Sequence, residues 1–137
     1  MDEQLEKEAI ILRGTKTIAV VGCSREEGKP SHDIPAYMQS VGFRIVPVNP
    51  STDTILGEKC YKQIKEIPFK VDLVDVFRPA REALTVTKEA YEAGIQRVWL
   101  QLGIYSKEAE DFAMSNGMDF VMDRCIMVEY NKLKDIL

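Results

Sequence analysis

A chain of 137 residues is long enough for one hydrophobic core, so a single domain spanning residues 1–137 is expected. Its composition, 45% hydrophobic and 29% charged, is ordinary for a globular protein, and a formal net charge of -4 argues against DNA or RNA as the main partner. No apolar run approaches membrane-spanning length and the acidic first residues are unlike a signal peptide, so the expectation is a cytoplasmic protein without a membrane partner. Cys23, Cys60 and Cys125 are widely spaced, with neither a metal-ligand rhythm nor a secreted disulfide framework, and His32 is the only histidine, so no metal site is expected.

In chain order, residues 2–13 read as a short helix capped by Asp2, with Leu5, Ala9, Ile10 and Leu12 as its apolar side and Gly14 ending it. Residues 17–22 are the first strand, and 23–32 are a loop leading to a helix at about 33–41. Ser31 or Asp33 is the expected cap, and Pro35 is expected in its first turn. A second strand, Arg44 to Val48, stops at Asn49-Pro50. Residues 51–58 read as loop and 60–66 as a helical turn or two. A third strand at 71–77 runs into a helix entered through Pro79, with Ala80, Ala83, Leu84, Thr87, Ala90 and Tyr91 toward the sheet. A fourth strand at 97–100, a helix capped by Ser106, a fifth strand at 119–122 and a last helix at about 126–135 complete the chain. Strands alternating with helices predict the α/β class: a doubly wound, mainly parallel five-stranded sheet with helices on both faces.

Such sheets bind ligands outside the carboxyl ends of their strands. The residues expected on that rim are Gly22, Cys23, Ser24, Arg25 and Lys29 after strand one, Asn49 and Pro50 after strand two, Phe77, Arg78 and Pro79 after strand three, Gln101 and Gly103 after strand four, and Asp123, Arg124 and Cys125 after strand five. Arg25, Lys29, Arg78 and Arg124 make this edge basic in an acidic chain, which suits a ligand with several phosphates. A dinucleotide fingerprint is not matched, because Ser24 stands where the second glycine of G-x-G-x-x-G belongs and Asn49 stands where a ribose-binding acid belongs. The Walker spacing is not matched either, since Pro30 separates Lys29 from Ser31.

The ordered set Ala19-Val20-Val21-Gly22-Cys23-Ser24, Lys29-Pro30-Ser31, Val46-Pro47-Val48-Asn49-Pro50, Ile55-Leu56-Gly57, Val74-Asp75-Val76-Phe77-Arg78, Val98-Trp99-Leu100-Gln101-Leu102-Gly103 and Met122-Asp123-Arg124-Cys125 resembles the small stand-alone CoA-binding domain family, similar to the amino-terminal domain of the succinyl-CoA synthetase α subunit. The resemblance implies a Rossmann-like fold that holds coenzyme A or an acyl-CoA. It places Gly22, Cys23 and Ser24 at the pyrophosphate or ribose, with Arg25, Lys29, Ser31 and Arg124 among the binding residues. Val48, Asn49 and Pro50 would then line the nucleotide side. Val76, Phe77 and Arg78 would flank the adenine or the start of the pantetheine arm, and Gln101, Leu102 and Gly103 would follow that arm. The 3′-phosphate of CoA favours positive charge and no acid near the ribose, and Asn49 can donate there where Asp would repel.

No catalytic residue is expected within the chain. His32 reads as a helix-start residue that hydrogen-bonds the loop or a phosphate, ahead of a general base. Asp75, inside an apolar strand, is expected to anchor a neighbouring loop through N–H groups, and Asp72 to sit at the strand entrance away from the ligand. Cys23 reads as a small buried hydrophobe; the alternative is a thiol whose pKa is lowered by Arg25, Lys29 and a helix N-terminus and which forms a mixed disulfide with CoA. A binding module is therefore expected ahead of an NAD(P)-type oxidoreductase or a small acyl-CoA-handling enzyme, and a homodimer or an unidentified protein partner is compatible with the open sheet.

Overall fold

The computed structural model describes residues 1–137. Helix α1 (Glu3–Arg13) is capped by Asp2, whose carboxylate accepts from Leu5 N at 2.8 Å. The face it buries is Glu8, Ala9, Ile11 and Leu12, while Ile10 is 60% exposed. The helix is therefore rotated from the expected apolar side, and a carboxylate goes inward with it. Strand β1 (Thr17–Val21) leads through the 22–29 loop to α2 (Pro30–Ser40).

Helix α2 begins three residues before its expected start because Pro30 takes the first helical position, where its fixed φ and missing N–H cost nothing. Pro35 consequently falls inside the helix rather than in its first turn. It cannot donate to the carbonyl of Ser31, and that carbonyl accepts instead from Ser24 N at 3.0 Å. The proline thus frees the acceptor that holds the loop. Neither expected cap side chain caps α2; Asp33 Oδ1 turns back to accept from Gly28 N at 3.1 Å.

Strand β2 (Arg44–Val48) is followed by a small antiparallel hairpin, β3 (Thr54–Ile55) and β4 (Glu58–Lys59), where a loop was expected. Leu56 and Gly57 turn it with φ of 55° and 74°, the left-handed pair that a tight hairpin requires. Only a 3₁₀ turn, Ile64–Glu66, interrupts the way to β5 (Leu73–Val76). A 3₁₀ turn at Ala80–Glu82 then opens α3 (Ala83–Glu92). Its buried stripe is Ala83, Val86, Thr87 and Ala90, whereas Ala80 and Tyr91, expected to face the sheet, are exposed. Strand β6 (Arg97–Leu100), α4 (Lys107–Ser115), β7 (Asp119–Val121) and α5 (Ile126–Leu133) follow.

The main sheet has five parallel strands in the order β2-β1-β5-β6-β7, as the doubly wound expectation requires. Alternate strand residues divide between two cores. Ile18, Val20, Ile45, Leu73, Trp99 and Val121 pack with residues of α1, α2 and α5. Ala19, Val48, Val74, Val76, Val98 and Phe120 pack with residues of α3 and α4 on the other face. The crossover from β2 to β5 also runs over that second face, but it carries a 3₁₀ turn instead of a full helix. A cleft remains beside the carboxyl ends of β1 and β2 there.

Candidate functional site

The order of strands reverses between β1 and β5, so their carboxyl ends form the switch point at which open α/β sheets bind. Gly22 stands there with φ of 86°. A Cβ on it would lie 2.8 Å from the carbonyl oxygen of Phe77 and 2.9 Å from Cδ of Arg78. Only glycine lets the two strand ends approach this closely. Gly22 N donates to Val48 O at 3.0 Å and Phe77 N to Val21 O at 2.8 Å, which ties β1 to both neighbours at the edge.

The loop after Gly22 is held by its own polar groups. Ser24 Oγ accepts from Glu26 N at 3.0 Å, and the Ser24 carbonyl lies 2.8 Å from His32 Nδ1. His32 thus takes the loop-bonding role expected of it. Asn49 Nδ2 donates to Cys23 O at 2.9 Å while its Oδ1 accepts from Ser51 N at 2.8 Å, so the side chain read as a ligand donor is engaged within the protein. The Cys23 thiol is fully buried and burial pushes its pKa up to about 12, with lesser contributions from Cys60 and Asp75. Lowering by Arg25 and Lys29 does not occur, because the side chain points into the core and not toward those exposed cations.

A cleft of about 1210 Å³ opens from this edge and runs between the 62–71 segment and α3. Of the expected site residues it brings together Gly22, Val48, Asn49, Pro50 and Arg78. Arg78 is forked onto Glu82, with Nε and Nη2 donating at 3.1 and 2.8 Å, and this pairing holds its pKa above the usual value. Cys23, Ser24, Arg25, Lys29 and Ser31 stay on the adjoining loop and the start of α2, outside the cleft wall. Lys29 is paired with Glu26 at 2.9 Å. Val76 is buried within β5, and Phe77 is half-buried against the α2 and α5 side. Gln101 is buried too, its Oε1 accepting from Ile126 N at 3.0 Å, while Leu102 is exposed and Gly103 N donates to Asp123 Oδ1 at 2.7 Å. Arg124 lines a separate, smaller cavity of about 450 Å³, and its carbonyl accepts from Trp99 Nε1 at 2.9 Å.

The sequence reading missed the opposite banks of the cleft. Lys62, Lys65 and Lys70 line one side, and Glu82, Glu89 and Glu92 line the other. Lys62 and Lys65 lie on the 60–66 segment, read only as a helical turn or two, and nothing in its composition shows which face of the sheet it crosses. Asp75 also departs from expectation. It is buried with no partner for Oδ1, and burial raises its pKa well above the carboxylate range. The anchoring carboxylate is Asp72, whose Oδ2 accepts from Lys16 N and Thr17 N at 3.0 Å each. A residue at the strand entrance faces unpaired N–H groups; one in the strand interior finds them already used by the ladder.

The sheet order and the glycine-turned switch point define a Rossmann-like α/β domain. Residues 16–131 match the CoA binding domain family, and the chain belongs to that family. It is 38% identical over 120 residues to the uncharacterised protein YneT of Bacillus subtilis strain 168, covering 88% of this chain and 89% of that one. It is also 38% identical over 97 residues to an ADP-forming acetate–CoA ligase of Archaeoglobus fulgidus, covering 69% of this chain but only 14% of the ligase. A hypothetical protein from Pyrococcus horikoshii OT3 superposes with a TM-score of 0.91 at 32% identity, over 95% of this chain and 92% of that one. No helix is long and apolar enough to cross a membrane.

Proposed function

We propose that the protein binds coenzyme A or an acyl-CoA at the carboxyl ends of its parallel strands and acts as a binding module. The observation that carries this reading is the close approach at Gly22, which opens backbone at the switch point into a roomy cleft in a chain of the CoA-binding family. Ser24 and Asn49, in place of the fingerprint glycine and the ribose acid, disfavour a nicotinamide dinucleotide. A binding role ahead of an enzymatic one is supported by the side chains themselves. Cys23 is buried as a thiol, His32 is committed to the Ser24 carbonyl, and Asp75 is sealed beneath the sheet surface. These groups cannot pair as nucleophile and base at the cleft.

Native mass spectrometry of protein purified without added ligand tests the reading, followed by thermal shift with CoA and NAD. A bound mass matching CoA, or a melting temperature raised by CoA and not by NAD, supports it. An empty protein that CoA does not stabilise overturns it.

A further inference from the structure

We propose that Lys62 and Lys65 read the ribose 3′-phosphate of coenzyme A and so set a preference for CoA over dephospho-CoA; this rests on the CoA-binding reading above. The backbone places Lys62 at the nucleotide end of the cleft. Tyr61 is bridged in parallel to Val48, with Tyr61 N donating to Pro47 O at 3.0 Å and Asn49 N donating to Tyr61 O at 2.9 Å. The 61–62 backbone therefore runs alongside the end of β2 in the same direction, and it sets Lys62 beside Asn49 and Pro50. Lys65 follows on the 3₁₀ turn that buried Ile64 pins to the core, and both lysines line the same cleft as Gly22 and Asn49.

In Rossmann-like sheets the end of the second strand meets the adenosine ribose, where an acid selects a free hydroxyl and a cation accommodates a phosphate. Here that position is Asn49, neutral and committed to Cys23 O and Ser51 N. The charge for a ribose phosphate has to come from a neighbour. Of the cations expected on the rim, Lys29 is paired with Glu26 and Arg78 with Glu82, Arg124 lines the other cavity, and Arg25 is unpaired but stands on the adjoining loop, outside the cleft wall. Lys62 and Lys65 are exposed and take part in none of the ion pairs. Lys70 lies 3.8 Å from Asp72 at the amino end of β5, away from the switch point. Across the cleft, Glu82, Glu89 and Glu92 repel a phosphate from the α3 bank. The cleft is thus polarised, and its free positive side adjoins the ribose position.

The test is calorimetric titration of the wild type and of Lys62→Ala/Lys65→Ala with CoA and with dephospho-CoA. The wild type is expected to prefer CoA by about tenfold or more, the range a phosphate gripped by charge-assisted hydrogen bonds gives. The double variant is expected to lose most of that preference while its dephospho-CoA affinity stays within about twofold. Lys134→Ala, which removes a charge directly after α5, should keep the preference. A double variant that retains the preference, or one that weakens both ligands equally, overturns the assignment while the binding reading stands. A wild type that binds neither ligand overturns that reading itself, and the assignment with it. Both lysines are exposed, and the apo melting temperature of the variant verifies that it folds.

Discussion

Gly22 carries two demands at one atom position. Its backbone is left-handed, and the space where a Cβ would stand belongs to the backbone oxygen of Phe77, which cannot swing aside. Gly22→Ala is expected to cost about 2–3 kcal/mol, combining the unfavourable φ with the steric shift, and to weaken CoA binding by moving β1 from β5. Urea unfolding measures the first effect and calorimetry the second; a variant as stable as the wild type would show that the edge relaxes freely. Cys23 one residue later gives a second expectation. With its pKa pushed up to about 12 and its side chain fully buried, it should resist iodoacetamide at pH 8 in the folded protein and react once unfolded, as intact mass will report. The turn at Gly22 was legible because an apolar strand runs into it, although many sheets turn on a glycine and only the ordered set of later motifs gave it weight. The roles of Asn49 and Asp75 were not, because a polar side chain's partner depends on which N–H and C=O groups the rest of the fold leaves free.

At the scale of elements, the least expected contact is between α1 and α5. Glu8 and Glu129 are both buried between these helices, and each has one oxygen without a partner, Oε1 in both. Gln4 Nε2 donates to the other oxygen of Glu8 at 2.7 Å, and Lys132 lies 3.0 Å from the other oxygen of Glu129. A proton held on Glu8 and donated toward Glu129 would satisfy both of these oxygens. Burial first, then the hydrogen bond with Glu129, pushes Glu8 up to about 7, against lesser lowering by Gln4 and by Arg124. The folded state therefore holds a proton that the unfolded chain releases above its ordinary value of 4.5. This contribution to stability is fully present below that value and is lost as pH rises through about 7. Asp75, also raised by burial, acts in the same sense. Glu8→Gln keeps a donor toward Glu129 without needing the proton. It should flatten part of the decline between pH 5 and 8 and raise the melting temperature at pH 8 by about 3–6 °C, the shift roughly 1 kcal/mol gives in a chain of this size. Melting curves parallel to the wild type at every pH would show that the pair shares no proton. Most elements were readable from strand runs, caps and terminal glycines. The boundaries that moved did so for local reasons, with Pro30 starting α2 early and β3 and β4 being too short to show a period.

At the scale of the molecule, charge acts in two directions. The chain carries a net charge of -4 and would repel a polyanion such as CoA from a distance. On the proposed binding, the lysine bank would attract it at contact range. Salt separates the two, because exposed charges farther apart than about 10 Å are already screened near 0.1 M while pairs in contact are weakened more slowly. If the bank dominates, CoA affinity falls by about 3- to 10-fold between 50 and 500 mM salt, and dephospho-CoA, with one phosphate fewer, falls less steeply. If the overall charge dominates, affinity rises over the same range. Titrations at four salt concentrations read the sign directly. Composition supplied the global term at once. The local term stayed hidden because it arises from topology: a crossover that forms a 3₁₀ turn where a helix would fill the face leaves the cleft open and brings Lys62 and Lys65 to its wall. The short crossover leaves the cleft open, and the sign of the salt dependence tests whether its lysine bank governs the proposed ligand.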